Sequence, residues 1–198
     1  MTKTIRAVAS TALVAGVFSA ALLHGGSGFN GRTIADTTIS VATNTASFSG
    51  HVDANQTKWV AFPFDVEVTG PIKVVLWAAS SAPDTDFTAK LVDVHPSGFA
   101  VNVAQGIIRA RYRDSFAQPT LLEPGRVYRY EIDCWSSSNC FGVGHRIRVE
   151  ISSSNFPQFD RNPNTGHAFG MDADLQPATQ TIYHDARHPS HILLPVVA

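Results

Sequence analysis

Charge, cysteine and helical periodicity are all scarce in this 198-residue sequence, and each scarcity excludes a class of protein. Charged residues make up 16% of the chain and the formal net charge is −1, so no basic excess points to nucleic acid or to an anionic membrane. Sustained helical periodicity is absent after residue 30, and neither a phosphate-binding loop nor a dinucleotide fingerprint occurs. The 44% of hydrophobic residues nevertheless suffices for a packed core of about one domain.

A nucleophile motif is also missing. The nucleophile elbow of α/β-hydrolases has the pattern G-x-S-x-G. The nearest stretch reads Gly25-Gly26-Ser27-Gly28-Phe29, and Phe29 stands where the last glycine is required. The run Ser152-Ser153-Ser154 lacks the strand–turn–helix setting as well. We therefore interpret Ser27 as part of a glycine-rich linker and predict no catalytic residue in this chain.

The first residues have the pattern of a secretory signal. Lys3 and Arg6 precede an uncharged, mostly apolar run over residues 7–23, and Ser19-Ala20-Ala21 supplies the small residues that a signal peptidase needs. The alternatives are a buried first helix and an uncleaved membrane anchor, although the run is short for a membrane span. We expect residues 1–27 to be a signal peptide, and the mature protein to be secreted or extracytoplasmic without membrane contact.

Alternation of apolar and polar residues predicts β-strands through the rest of the chain. In residues 84–116, Phe87, Ala89 and Leu91 alternate with polar or outward positions, and the cluster His95-Pro96-Ser97-Gly98 interrupts the pattern as a tight turn would. This stretch predicts a hairpin at the centre of a sheet. In residues 144–162, Ile147, Val149 and Ile151 point to one face in a strict period of two.

These two stretches, together with residues 68–87 and 180–197, resemble the C-terminal, non-catalytic domain of Xaa-Pro dipeptidyl-peptidases and of the related cocaine-esterase-type serine hydrolases. The likeness covers roughly residues 62–197, in the order found in that family. It implies an all-β fold, a jelly-roll β-sandwich of about 8–10 strands. It also implies that the serine-hydrolase chemistry lies in a separate α/β-hydrolase domain. We expect a linker and an outer strand over 28–57 and the sandwich domain over 58–198.

The resemblance leaves three functions open. The first is a stand-alone accessory or binding domain that lacks the catalytic α/β-hydrolase domain and acts with a separate catalytic chain as its partner. The second is the dipeptidyl-peptidase or ester/amide hydrolase activity of the family, carried out in trans with that chain. The third is a secreted module that binds carbohydrate or peptide, by analogy with other jelly rolls. We expect the chain alone to be inactive, without a cofactor, a metal ion or a nucleic-acid partner.

The two cysteines, Cys134 and Cys140, are candidates for a disulfide. Five residues separate them, at the place where the strand from Tyr128 and the strand from His145 are expected to be joined. In an exported chain this spacing favours one disulfide that closes the connection. Two free thiols are the alternative.

Three further sets of residues have features of binding sites, but a structural role explains each set better. Arg109, Arg111 and Arg113 alternate on one face of an extended segment, which fits a solvated face paired with nearby acids better than an anion site. In the 159–166 loop, the calcium-loop pattern begins and then fails, because Thr165 and Met171 occupy required glycine and glutamate positions. Among the C-terminal histidines, Pro189 argues against the helix that a metal site would need. The calcium-loop candidates are Asp160, Asn162 and Asn164, and the histidines are His184, His188 and His191.

Overall fold

The protein is almost entirely β in the part of the chain that its computed structural model describes. The described residues are 65–168, 170, 172–183 and 187–197, with the backbone of segments 18–19, 37–42 and 47–52. Within these ranges a single 3₁₀ turn (Ala110–Tyr112) is the only helical element, and no helix is long and apolar enough to cross a membrane. The strands are β1 (Phe18–Ser19), β2 (Thr37–Ala42), β3 (Ser47–Val52), β4 (Val66–Ser80), β5 (Asp86–Val94), β6 (Ala100–Arg109), β7 (Tyr128–Phe141), β8 (Arg146–Ser152), β9 (Gln180–Tyr183) and β10 (His191–Leu193).

Two sheets enclose one hydrophobic core, which confirms the predicted all-β sandwich. One sheet has the order β1-β8-β5-β6, and the other has the order β10-β4-β7, with β9 also paired to β4. The strands of both sheets pair antiparallel except β1, which runs parallel to β8. The strands β2 and β3 form a separate hairpin where a single outer strand was expected. The largest fully buried side chains come from both sheets: Tyr130, Phe87, Phe141, Ile72, Leu76, Leu91, Ile132 and Ile192.

The predicted central hairpin is present, with β5 inside the sheet and β6 at its edge within the described residues. β5 pairs with β6 on one side and with β8 on the other. The turn between β5 and β6 closes by hydrogen bonds from the amide of His95 to the carbonyl of Phe99 and from Gly98 back to His95. Ile147, Val149 and Ile151 of β8 are all buried, as their period of two predicts.

A β-bulge brings the edges of the two sheets together. Opposite Ile72 of β4, strand β7 has two residues, Cys134 and Trp135, and Trp135 adopts a left-handed φ of 63°. Gly106 of β6 packs directly against this bulge, since a β-carbon built on it would lie 2.0 Å from the carbonyl oxygen of Asp133. Only glycine allows two backbones to approach so closely. The bulge also turns the side chain of Trp135 outward, where it is 75% exposed.

The predicted disulfide between Cys134 and Cys140 is wrong. Both cysteines are free thiols, and both lie in the single strand β7 instead of flanking a connection between strands. Ser136, Ser137, Ser138 and Asn139 between them pair with β4 across the ladder. At about 3.3 Å per residue, the two α-carbons are roughly 20 Å apart, whereas a disulfide needs about 4.4–6.8 Å.

The two thiols should therefore differ sharply in reactivity. Cys134 is 2% exposed, and burial raises its pKa to about 12, so almost no thiolate forms at pH 8. The Cys140 side chain lies on the exposed face of β7. We expect iodoacetamide to alkylate Cys140 in the folded protein and Cys134 only after denaturation, as measured by peptide mass spectrometry.

The control is the Cys140→Ser variant, which should take up no label until it unfolds. Equal labelling of both cysteines in the native protein would contradict the buried position of Cys134. Recovery of a linked Cys134–Cys140 peptide without reductant would restore the disulfide.

Candidate functional site

Four charged side chains form a buried ionic cluster at the start of β5. The Asp86 carboxylate accepts hydrogen bonds from Nε and Nη2 of Arg109 at 2.9 and 3.0 Å. The Asp84 carboxylate accepts from Nε of Arg111 at 2.7 Å and from the Arg111 backbone amide at 3.0 Å. Asn162 bridges the two acids, because its Nδ2 lies 2.9 Å from Asp84 and 2.8 Å from Asp86.

The strand register brings these residues together. Asp86 stands directly opposite Arg109 in the antiparallel ladder of β5 and β6. The 3₁₀ turn at Ala110–Tyr112 then continues from β6, and the amide of Ala110 donates to the carbonyl of Thr85. This turn places Arg111 beside Asp84. The long segment after β8 contributes Asn162 from the opposite side of the cluster.

The cluster is an internal ion-pair network, with no carboxylate left over for acid–base chemistry. The side chains of Asp84 and Asp86 are 0% and 2% exposed, and those of Arg109 and Arg111 are 15% and 12% exposed. Burial raises the pKa of Asp86, and the hydrogen bonds from Arg109 and Asn162 act in the opposite direction. Because two carboxylates meet two guanidinium groups, the charges balance within the cluster. Its role is to hold three chain segments together.

The arginine prediction is therefore half right. Arg109 and Arg111 are paired with nearby acids as expected, but their side chains are only partly exposed and do not form a solvated face. Arg113 turns away from them, because the chain is no longer extended there. Its Nη1 donates to the carbonyls of Ala110 and Thr120, and its guanidinium lies 4.3 Å from the ring centroid of Tyr128.

The loop that follows β8 is organised by asparagine side chains. Oδ1 of Asn162 accepts a hydrogen bond from the amide of Asn164, and Nδ2 of Asn164 donates to the carbonyl of Gln176. With its Nδ2 committed to Asp84 and Asp86, Asn162 ties the loop to the ionic cluster instead of forming a calcium loop. An open cleft of about 370 Å³ lies on the surface of this loop, lined by Phe156, Asp160, Arg161, Pro163, Gly170 and Asp172.

His188 and His191, the two C-terminal histidines in the described part of the chain, make different contacts. The ring of His188 packs against the rings of Trp77 and Tyr183, with centroids 5.3 and 5.1 Å apart. His191 belongs to β10, and its Nδ1 lies 2.7 Å from the carbonyl oxygen of Pro189. His184 lies outside the described residues. The two described histidines thus contact residues at the ends of strands β4, β9 and β10.

The acids of the ionic cluster were not singled out from the sequence, although a signal for them exists. Asp84-Thr85-Asp86 and Arg109-Ala110-Arg111 have the same spacing and stand at the two ends of one predicted hairpin. Antiparallel pairing brings the two ends of a hairpin side by side, so each acid meets an arginine. The geometry defines a rigid β-sandwich domain whose loops are fixed by buried ion pairs.

Comparison with known proteins gives the family. Residues 37–193 match the model of the X-Pro dipeptidyl-peptidase C-terminal non-catalytic domain, and the chain belongs to this family. It is 49% identical, over 134 residues, to cocaine esterase of Rhodococcus sp. strain MB1 Bresler; this match covers 67% of the chain and 23% of the esterase.

Solved structures show the same relationship. An α-amino acid ester hydrolase superposes with a TM-score of 0.66 at 34% identity, over 69% of this chain and 24% of the hydrolase. An aminopeptidase from a marine-sediment Thaumarchaeota archaeon superposes with a TM-score of 0.62 at 30% identity, over 73% of this chain and 26% of the aminopeptidase. The chain thus spans about a quarter of the length of the relatives it matches.

Removing one charge from the ionic cluster should be costly. In the Asp86→Asn variant the shape is kept, but the mostly buried Arg109 loses its charged partner. We expect the free energy of unfolding to fall by about 3–5 kcal/mol, as when one partner of a buried ion pair is removed. Urea denaturation followed by tryptophan fluorescence measures the change.

The matched control is Glu131→Gln on the surface of β7. Glu131 lies 2.8 Å from Lys73 and 2.7 Å from Arg129, but its side chain is 43% exposed. Its loss should cost less than about 1 kcal/mol, because exposed pairs contribute little. Similar costs for the two variants would show that the buried cluster does not hold the loops.

Proposed function

We propose that this chain is the accessory β-sandwich of a serine ester or amide hydrolase, working on an α/β-hydrolase catalytic unit. The observation that carries the proposal is the family match over residues 37–193, to a domain described as non-catalytic. The relatives it matches are named for ester or peptide hydrolysis, and the chain corresponds to about a quarter of each. The proposal also includes a jelly-roll connectivity of the strands. It further includes that the chain acts in trans, as a stand-alone domain that binds a separate catalytic chain.

The described serines support a non-catalytic role. Oγ of Ser152 donates to the carbonyl of Ser154 at 3.0 Å and closes a local turn. Oγ of Ser190 donates to the carbonyl of Tyr183 at 2.6 Å and accepts from the amide of Trp77 at 2.9 Å. A catalytic serine instead needs a hydroxyl directed at a general base. These hydroxyls are used to join strand ends.

Three exposed aromatic side chains are candidate contact points for the catalytic unit. Phe99, Phe116 and Trp135 are 64%, 82% and 75% exposed. Large aromatic residues are enriched at the centres of protein interfaces, where they supply much of the binding energy. Trp135 is the best candidate anchor, because the β-bulge and the contact with Gly106 hold its backbone in place.

The purified chain alone should not hydrolyse ester or Xaa-Pro amide substrates. A triad and its oxyanion hole supply most of the roughly 8–23 kcal/mol by which enzymes lower a barrier. We therefore expect no turnover above the buffer rate, as measured with chromogenic substrates of both kinds. Turnover that disappears in the Ser27→Ala variant, or in an alanine variant of Ser152, Ser153 or Ser154, would show that the chain is itself an enzyme.

The accessory role can be tested by complementation. A version of the Rhodococcus cocaine esterase without the segment that matches this chain should gain ester hydrolysis or thermal stability when the chain is added. The Trp135→Ala variant should complement at least about tenfold less well, as loss of an interface anchor predicts. Leu175→Ala, which removes another exposed apolar side chain, is the control. Complementation unchanged by Trp135→Ala would place the interface elsewhere.

The proposal also includes export of the protein. Export predicts that the signal segment is removed, which creates a new N-terminus. The small residues around Ser19 suggest that the chain is cleaved between about Ser19 and Gly28. Cleavage would remove β1 and leave β8 as the outer strand on that side of its sheet. Intact-mass measurement of protein from the culture medium tests this. Soluble cytoplasmic protein that keeps residues 1–23 would contradict export.

A further inference from the structure

Three potential metal ligands converge at the end of β5 that lies away from the ionic cluster. Nδ1 of His145 lies 2.8 Å from Oδ1 of Asp93, and Nε2 of His95 lies 4.0 Å from Oδ2 of the same carboxylate. The two imidazole rings are 4.1 Å apart between centroids. One ligand atom from each residue lies within 4.8 Å of the other two. In the described part of the chain, no other group of three such side chains comes so close.

Regular backbone structure holds these three residues in place. Asp93 and Val94 pair with Ile147 and Arg146 at the end of the ladder between β5 and β8. His95 begins the turn between β5 and β6, whose hydrogen bonds are described above. The amide of His145 donates to the carbonyl of Gly142 at 2.9 Å. The His145 ring packs so closely on Gly142 that a β-carbon there would lie 3.2 Å from Nε2. The cluster is therefore preorganised.

The electrostatics of this cluster differ from those of the ionic cluster. Asp84 and Asp86 are neutralised by two arginines. The Asp93 side chain is 7% exposed, and its ion-pair partners among the described residues are the two histidines. A histidine binds a metal ion in its neutral form, so in a metal-bound state the two imidazoles and the carboxylate supply one negative charge to the cation. A buried charge is stable only when it is paired or bound to a metal ion.

The donor set and the geometry favour a particular class of ion. Imidazole nitrogens suit zinc and the neighbouring transition metals, whereas calcium and magnesium prefer oxygen ligands. In a tetrahedral zinc site the ligand atoms lie roughly 3.4 Å from one another, given bonds of about 2.1 Å. His145 lies 2.8 Å from one oxygen of Asp93 and His95 lies 4.0 Å from the other, and the three ligand atoms lie within 4.8 Å of one another, so the cluster is slightly wider than a bound site. A small rotation of the His95 side chain, which is 35% exposed, would close the site and leave one coordination position open to solvent.

We propose that Asp93, His95 and His145 bind a divalent transition-metal ion of the zinc class. The ion joins the turn between β5 and β6 to the connection between β7 and β8. It adds a fixed point at the end of the sandwich where Phe99 and Val143 are exposed. The proposal does not depend on the hydrolase partner.

The test uses the full chain without a histidine tag, freed of metal with a chelator. We expect calorimetric titration with zinc chloride to give one equivalent of binding. Cobalt(II) should bind at the same site and show visible absorption typical of nitrogen ligation. In the His95→Gln variant, the affinity for zinc should fall at least about tenfold, since even the loss of a metal site's supporting contacts costs that much.

The matched control is His167→Gln. His167 is also paired with a carboxylate, with its Nδ1 2.8 Å from Oδ2 of Asp172, but it lacks a second imidazole. This variant should bind zinc as the parent protein does. The metal-free His95→Gln variant must have the same melting temperature as the metal-free parent protein, so that a folding defect is excluded. If its melting temperature differs, the His95→Asn variant, which has a shorter side chain, is used instead.

Three results would overturn the proposal. The first is the absence of zinc binding by the parent protein. The second is equal affinity in a folded His95 variant and in the parent. The third is loss of binding in His167→Gln, which would place the metal elsewhere on the surface.

Discussion

The fold depends on the pairing of Asp84 and Asp86 with Arg109 and Arg111. A one-residue slip between β5 and β6 would separate Asp86 from Arg109 and leave two unpaired charges inside the protein. The ion pairs therefore specify the register of the hairpin more strictly than apolar packing alone. Asn162 extends this control to the long loop after β8, because its Nδ2 reaches both carboxylates. The same four charged side chains therefore fix both the register of the β5–β6 hairpin and the position of the loop after β8.

A second constraint acts where β6 meets β7. Because Gly106 lacks a β-carbon, the two backbones touch, and the bulge at Cys134 and Trp135 fits against it. One consequence lies in the core, where Cys134 is buried with a pKa raised to about 12 by desolvation. The other lies on the surface, where Trp135 faces solvent. A single irregularity of the backbone therefore controls a core position and the proposed interface anchor.

Structural features that depend on a local sequence pattern could be predicted from the sequence. Contacts between segments that are distant in the sequence could not. The period of two in β8 located its buried face correctly, because burial alternates along a half-buried strand. In β5 the same alternation was misleading, because β5 lies inside the sheet and is buried on both faces. The segment between Cys134 and Cys140 is rich in serine and reads as a loop, yet β4 extends far enough to pair with it. His95 and His145 are distant in sequence, so their approach at the side of Asp93 follows only from the pairing of β5 with β8.

The two ends of β5 use charge in opposite ways, and this contrast is the basis for assigning them different roles. At its start, each of the two carboxylates has a guanidinium partner, so the charges cancel within the cluster. At its end, the partners of Asp93 are two imidazoles, a donor set that suits a transition-metal cation. The ring of Phe99 packs edge-to-face against that of His95, with centroids 5.4 Å apart. A cation bound at Asp93 would therefore act directly on the position of an exposed aromatic residue.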